Sequence, residues 1–389
     1  MKNKNWFKNA IIYQILIDRF AGFKTIKDWD KPNFIGGNIK GIISNFDYLL
    51  DLGVNTIWLS PFYETSEYHG YHITDFYKVD PHFGTIDDLK SLIKKVHDNN
   101  MRIITDFVPN HCSNIHPFFK DAQENKESDY RDWFYFNNWP ENYLCFLSVK
   151  QLPKINLENK KARDYIINSA KHWLSLGIDG YRLDHVIGPS HRFWKKFSRE
   201  IKDIFPNSVL IGEAWLQGIK FNELKTVNIK NKNLKWLFGS SPDFLLKEYV
   251  KELDGVLDFK FQELIRDYIV REKINKNKFL KQMKKHYKRF PENYFLAAFI
   301  DNHDMDRFSY ECNYDLNKIK NAIKIQFSIN QPVIIYYGDE IPLKQNKSIW
   351  EYTSHGDIQA RYPMIWNYKN KELFNFLKKL IQDKNKNNI

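Results

Sequence analysis

The stretch KARDYIINSAKHWLSLGIDGYRLDHV, residues 161–186, runs from a helical pattern through a glycine into a strand pattern. Its apolar residues, Ile166, Ile167, Ala170, Trp173 and Leu174, recur at three- and four-residue spacing, which gives a helix one apolar face. Gly177 stands where a helix C-cap is expected. The run that follows is short and bounded by glycines, as a buried strand is. A helix feeding directly into a strand is one step of a repeated β-α unit, and repeated β-α units build a parallel sheet.

Working outward, the same unit recurs along the chain. Strand candidates are AIIYQIL (10–16), NTIWLS (55–60), RIITDFV (102–108), GIDGYRLDHV (177–186), SVLIGEAW (208–215), GVLDFKF (255–261), YFLAAFIDNHD (294–304) and PVIIYYGD (332–339). Helical patterns such as DDLKSLIKKVHDN lie between most of them. Eight such units favour a closed barrel over an open sheet, so the expected fold class is α/β, a (β/α)8 TIM barrel. The whole chain, 1–389, is expected to be a single catalytic barrel. Residues 109–156 break the rhythm with aromatics, Asn and acidic residues, and are expected to form an inserted subdomain B after the third strand, walling one side of a cleft. The segment 216–253 is irregular, and after Trp366 only KELFNFLKKLIQD reads as a helix, so a separate C-terminal β domain is not expected.

Composition narrows the partners. Hydrophobic residues make up 43% and aromatics 16%, enough for a large core and rich in the rings that stack on sugars. The formal charge of +12 raises the question of nucleic acid, but the lysines are scattered among Asn and Ile, with no compact basic block beside stacking aromatics. No window supplies the roughly 18 apolar residues of a membrane span. The first twenty residues lack a signal-peptide pattern, and Cys112, Cys145 and Cys312 have no CxxC spacing. The expectation is a soluble cytoplasmic protein that binds neither nucleic acid nor membrane, with oligomer formation left open.

In a parallel barrel the active site forms at the carboxyl ends of the strands. Those ends are loaded here: DFVPNH (106–111) on the third strand, Arg182 and Asp184 on the fourth, Glu213 on the fifth, and Asn302, His303 and Asp304 on the seventh. Three carboxylates converging on one pocket suit glycoside chemistry, with one as nucleophile, one as proton donor and one as stabiliser. Retention needs the two principal carboxyls about 5 to 5.5 Å apart, a spacing that neighbouring strands supply. Arg182 precedes Asp184 by two residues, so both leave the strand on one face and the guanidinium can hold the nucleophile ionised.

In order and spacing these motifs resemble the α-amylase family, glycoside hydrolase family 13, over nearly the entire chain. DFVPNH, GYRLDHV, GEAW and FIDNHD resemble its four principal signatures, and GVNTIWLSP (53–61), LPKIN (152–156) and PVIIYYGDE (332–340) its accessory ones. The resemblance implies Asp184 as nucleophile, Glu213 as acid/base and Asp304 as the group binding the hydroxyls of the distorted sugar. It also implies Arg182, His111, His303 and Asn302 around that subsite, with Tyr71 in YHGYHITD as a ring-stacking tyrosine beside His69. No cofactor is implied for the chemistry; Asn110 matches a position that often ligates calcium in the family.

LPKIN is closest to the neopullulanase and cyclomaltodextrinase branch, and GDIQARYPMIW (356–366) resembles a segment after the eighth strand in oligosaccharide-acting members. Ile187 and Gly188 stand where many α-amylases carry a Lys-His pair. The expected partner is therefore an α-glucan or a short or cyclic maltooligosaccharide. The N-terminal β module of that branch and the family's C-terminal β-sandwich are both expected to be absent.

The implied function is retaining hydrolysis of α-glucosidic bonds, α-1,4 first and α-1,6 second. Two alternatives stay open: a 4-α-glucanotransferase on the same fold, and a non-catalytic carbohydrate-binding barrel.

Overall fold

The computed structural model describes residues 4–216, 221–230, 243–351 and 355–387, so much of the irregular segment 216–253 lies outside the described residues. Eight strands share one sheet: β1 (Ile11–Ile15), β2 (Thr56–Leu59), β3 (Arg102–Phe107), β4 (Gly180–Leu183), β5 (Val209–Gly212), β6 (Gly255–Leu257), β7 (Phe295–Ala297) and β8 (Val333–Tyr336). Their order is β7-β6-β5-β4-β3-β2-β1-β8, and a parallel bridge from Ala298 to Val333 links the two ends of that series. This is the (β/α)8 barrel expected from the sequence. The chain divides into two compact units, one built on Pro61–Pro81 and Ile104–Val256, the other on Asn5–Ser60, His82–Ile103 and Leu257–Ile389.

In the first unit β4 lies parallel between β3 and β5, with Arg182 opposite Asp106 on one side and Ile211 on the other. Alternation along β4 decides which residues pack and which are free for chemistry. Tyr181 turns toward the helix Lys160–Ser175, where its hydroxyl donates to the Ala170 carbonyl at 2.6 Å. Arg182 leaves on the opposite face. That helix starts where Asn159 accepts from the Ala162 amide, and Gly177, at φ 109°, supplies the left-handed turn beyond its end. Its buried face holds Ile166, Ile167, Ala170, Trp173 and Leu174; full burial of an aliphatic side chain contributes about 1.5–3 kcal/mol. The helix His191–Ile204, capped by Ser190, buries Phe193, Trp194, Phe197 and Ile201, and the Trp194 indole donates to the Val186 carbonyl at 2.8 Å. The loop behind Asp184 is thereby tied to the next helix.

Residues 109–156 carry the helix Pro117–Glu124 and two small antiparallel pairs, Phe136–Asn138 with Asn142–Tyr143 and Cys145–Phe146 with Val149–Pro153. Phe119 packs between Phe134 and Tyr143 at ring distances of 4.9 and 4.8 Å.

In the second unit β1 lies between β2 and β8, with Ile12 opposite Thr56 and Ile334. Glu340, just past β8, is fully buried and accepts from the Tyr13 and Tyr48 hydroxyls, each at 2.6 Å. Burial pushes its carboxyl upward, and these hydrogen bonds oppose the shift. All eight strands end short of the expected runs, two of them by four residues or more. GVLDFKF stops at Leu257 because the Asp258 carboxylate accepts from the Phe261 amide and caps the helix Phe259–Ile265. The seventh stops at Ala297, leaving residues 301–304 in a loop. Among the described residues no helix is long and apolar enough to cross a membrane.

Candidate active site

Within the first unit one buried guanidinium gathers three acids. Arg182, 1% exposed, donates from Nη1 to Asp106 Oδ1 at 2.6 Å and to Asp184 Oδ1 at 2.7 Å, and from Nη2 to Glu213 Oε1. Burial works against the charged guanidinium, but Asp106, Glu213, Tyr71 and Asp184 outweigh it and raise its pKa further. Arg182 is therefore a fixed cation at every accessible pH, and an apolar surrounding strengthens its pull on each acid.

Backbone hydrogen bonds fix where those carboxylates sit. The Asp184 amide donates to the Phe107 carbonyl at 2.9 Å, and the Glu213 amide to the Leu183 carbonyl at 2.9 Å. Each acid thus continues its ladder for one residue beyond the strand end. Glu213 Oε2 accepts from the His185 amide at 3.1 Å, and His185 itself is in the left-handed region at φ 45°. Tyr71 joins the group through Asp106 Oδ2 at 3.0 Å, and its amide donates to His69 Nδ1 at 3.2 Å. Asp184 and Glu213 at the fourth and fifth strand ends, Asp106 and Tyr71 are thus brought together around Arg182.

His111 lies nearby in the same unit, 2% exposed, its Nδ1 3.2 Å from the Asn110 amide nitrogen. Its Nε2 has no hydrogen-bond partner among the described residues. Phe146 of the insertion packs against both His111 and His185, at ring distances of 4.8 and 4.7 Å.

At the position that the resemblance links to calcium, the buried Asn110 Oδ1 accepts no hydrogen bond from a described residue. Asn110 Oδ1 lies so close to Gly188 that a Cβ there would meet it at 2.1 Å. The Gly188 carbonyl accepts from the Lys154 ammonium at 2.7 Å. Among the described residues no group of three His, Cys, Asp or Glu side chains is placed to hold a metal.

Asn302, His303 and Asp304 belong to the second unit and form a cluster of their own. The Asp304 amide donates to Asn302 Oδ1 at 2.9 Å; its carboxylate meets Arg361 Nη2 and His303 Nε2, each at 3.0 Å. His303 Nδ1 is 2.8 Å from Gln14 Nε2 on β1, and Arg361 Nε donates to the His303 carbonyl at 3.0 Å. Arg361 and Lys154 hold these groups in place, although neither stands out within its motif. Their signal was a basic residue within an otherwise uncharged stretch, LPKIN, or within GDIQARYP, and basic residues are too common in this chain to stand out.

Three buried histidines make the first unit acid-sensitive. Burial pushes His111 down to about 3 and His116 to about 4, and His185 well below its usual range. All three stay neutral when folded, whereas in the unfolded chain they take up protons below about 6.5. Stability is therefore complete above about pH 6.5 and is lost as pH falls toward the folded values, on the order of 2 kcal/mol per histidine by pH 5. Urea midpoints at pH 7.5 and pH 5.0 check this; an equal or higher midpoint at pH 5.0 contradicts it.

The first unit thus places carboxylates bridged by one arginine at the ends of parallel barrel strands. The chain belongs to the alpha-amylase family: the description "Alpha amylase, catalytic domain" matches residues 14–388. It is 37% identical over 382 residues to Alpha-amylase 2 of Dictyoglomus thermophilum, covering 97% of this chain and 63% of that protein. To a cyclomaltodextrinase of Thermoanaerobacter pseudethanolicus it is 32% identical over 405 residues, covering 98% and 64%. A solved structure titled cyclomaltodextrinase superposes with a TM-score of 0.83 at 28% identity, over 99% of this chain and 64% of that one. The chain therefore spans less than two thirds of the length of these relatives.

Proposed function

We propose that this chain cleaves α-glucosidic bonds of maltooligosaccharides by a retaining mechanism. The observation carrying the proposal is the buried Arg182, which holds Asp184 and Glu213 side by side on adjacent strands. Asp184 attacks the anomeric carbon as the glucosidic C–O bond breaks, and Glu213 gives its proton to the departing oxygen. Water then attacks the glycosyl ester while Glu213 takes a proton back, which frees Asp184 and releases a sugar of unchanged α configuration. Asp304, oriented by Arg361 and His303, binds hydroxyls of the distorted ring. Tyr71 stacks on the sugar with His69 beside it, and His111 of the same unit is a further sugar contact; Asn302 and His303 are read as sugar contacts beside Asp304.

Substrate choice follows the relatives named as cyclomaltodextrinase, so the reading is a short or cyclic α-1,4 maltodextrin, with α-1,6 bonds second. A cytoplasmic setting belongs to this reading, since Cys112, Cys145 and Cys312 are buried free thiols. Incubation with maltotriose tests it. Glucose and maltose are the expected products; oligosaccharides longer than maltotriose as the main products would replace hydrolysis with glucanotransfer, and no turnover at all would remove the enzymatic reading.

A further inference from the structure

Lys154 ends the insertion and is only 6% exposed. Its ammonium donates to two backbone carbonyls, Gly188 at 2.7 Å and Thr226 at 2.5 Å, and makes no ion pair with a described residue. Burial pushes it down to about 7. A long cationic side chain gains little stability from burial beside neutral dipoles, which directs attention to the segments it joins.

Those segments lead to Glu213. The Gly188 amide donates to the His185 carbonyl at 2.9 Å, closing the turn 185–188, and Asn228 adds a second brace, its side chain donating to the Gly188 carbonyl at 2.5 Å and its amide to Ile187 at 2.6 Å. The first residue of the turn, His185, donates its amide to Glu213 Oε2, and the second, Val186, donates to the Glu213 carbonyl at 3.1 Å. The turn has no slack, because Gly188 packs on Asn110 too closely for any Cβ.

We propose that Lys154 is a positioning residue for the proton donor: by fixing the Gly188 and Thr226 carbonyls, it holds the turn 185–188 so that the His185 amide aims Glu213 at the leaving group. This rests on the reading of Glu213 as acid/base. Lys154 touches neither Asp184 nor Arg182 through any hydrogen bond, so its influence falls on the step that needs a proton.

Leaving groups separate this role from general damage. Maltotriose needs its departing oxygen protonated, whereas α-maltosyl fluoride releases fluoride without an acid, and kcat/KM reports bond cleavage for both. Lys154→Met is expected to lose about 30-fold or more in kcat/KM on maltotriose and no more than about threefold on the fluoride, within the range that general acids contribute. Lys154→Arg, which keeps the cation, is expected to recover most of the maltotriose rate. If Lys154→Met is insoluble, Lys154→Gln, with one amide donor, is expected to show the same selectivity in smaller measure.

Equal losses on both substrates, or no loss on either, overturn the proposal. Glu213→Gln read on the same pair keeps the two claims apart. A loss confined to maltotriose in Glu213→Gln but absent in the Lys154 variants refutes the positioning role alone. Equal losses on both substrates in Glu213→Gln refute the acid/base reading beneath it.

Discussion

Asp184→Asn is expected to fold like the wild type and to turn over maltotriose on the order of 10⁴-fold more slowly or not at all. The amide oxygen is isosteric with Oδ1 and still accepts from Arg182 Nη1, now 2.7 Å from the carboxylate, so packing is unchanged. What disappears is the charge that attacks. Three acids surround one guanidinium, and removing one leaves Asp106 and Glu213 to balance it, so no buried cation is stranded. Rate assays on purified variant with a parallel thermal melt read both halves of the prediction. Turnover within about tenfold of wild type would take the nucleophile role away from Asp184.

Arg182→Leu is expected to do the reverse and damage the fold first. It leaves Asp106, fully buried, and Asp184 and Glu213, each 7% exposed, beside one another with no cation. Losing one partner of a buried charge group costs about 3–5 kcal/mol, a large share of the roughly 5–15 kcal/mol that holds a protein folded. Arg182→Lys should recover part of the stability and little of the activity, because a single ammonium cannot reproduce a planar fork reaching three acids. Urea unfolding measures the difference. A Leu variant within about 1 kcal/mol of the wild type would mean that this arginine does not stabilise the acids it bridges.

Much of the barrel is legible in the chain because local and global preferences agree. β4 and the helix before it show this best: helical spacing, Gly177 and a short run bounded by glycines all point to one structure. The expectation fails where a polar residue inside a strand-like run has a tertiary task. Asp258 interrupts GVLDFKF and caps a helix while accepting from His286 and Tyr287, each at 2.9 Å, and both partners come from a helix beginning eighteen residues later. Alternation carries no record of such distant donors.

The candidate site divides in the same way. Arg182 and Asp184 could be read as partners because two residues along a strand share a face, and the ion pair is there. The links from Arg182 to Asp106 and Glu213 need the register of three strands, with Arg182 opposite Asp106 and Ile211, which no single segment encodes. Tyr71 on Asp106 and Arg361 on Asp304 join residues 35 and 57 positions apart. Lys154 is the extreme case, since its partners are backbone carbonyls and any residue type can supply those.

A covalent trap tests the nucleophile most directly. A fluorinated maltosyl fluoride that forms the glycosyl-enzyme quickly and releases it slowly is incubated with the protein, which is then digested and its peptides weighed. One labelled peptide is expected, with the sugar on the carboxylate of Asp184, and no label in Asp184→Asn. An ester on any other residue, or full turnover of maltotriose with inverted product and no adduct, contradicts Asp184 as the nucleophile.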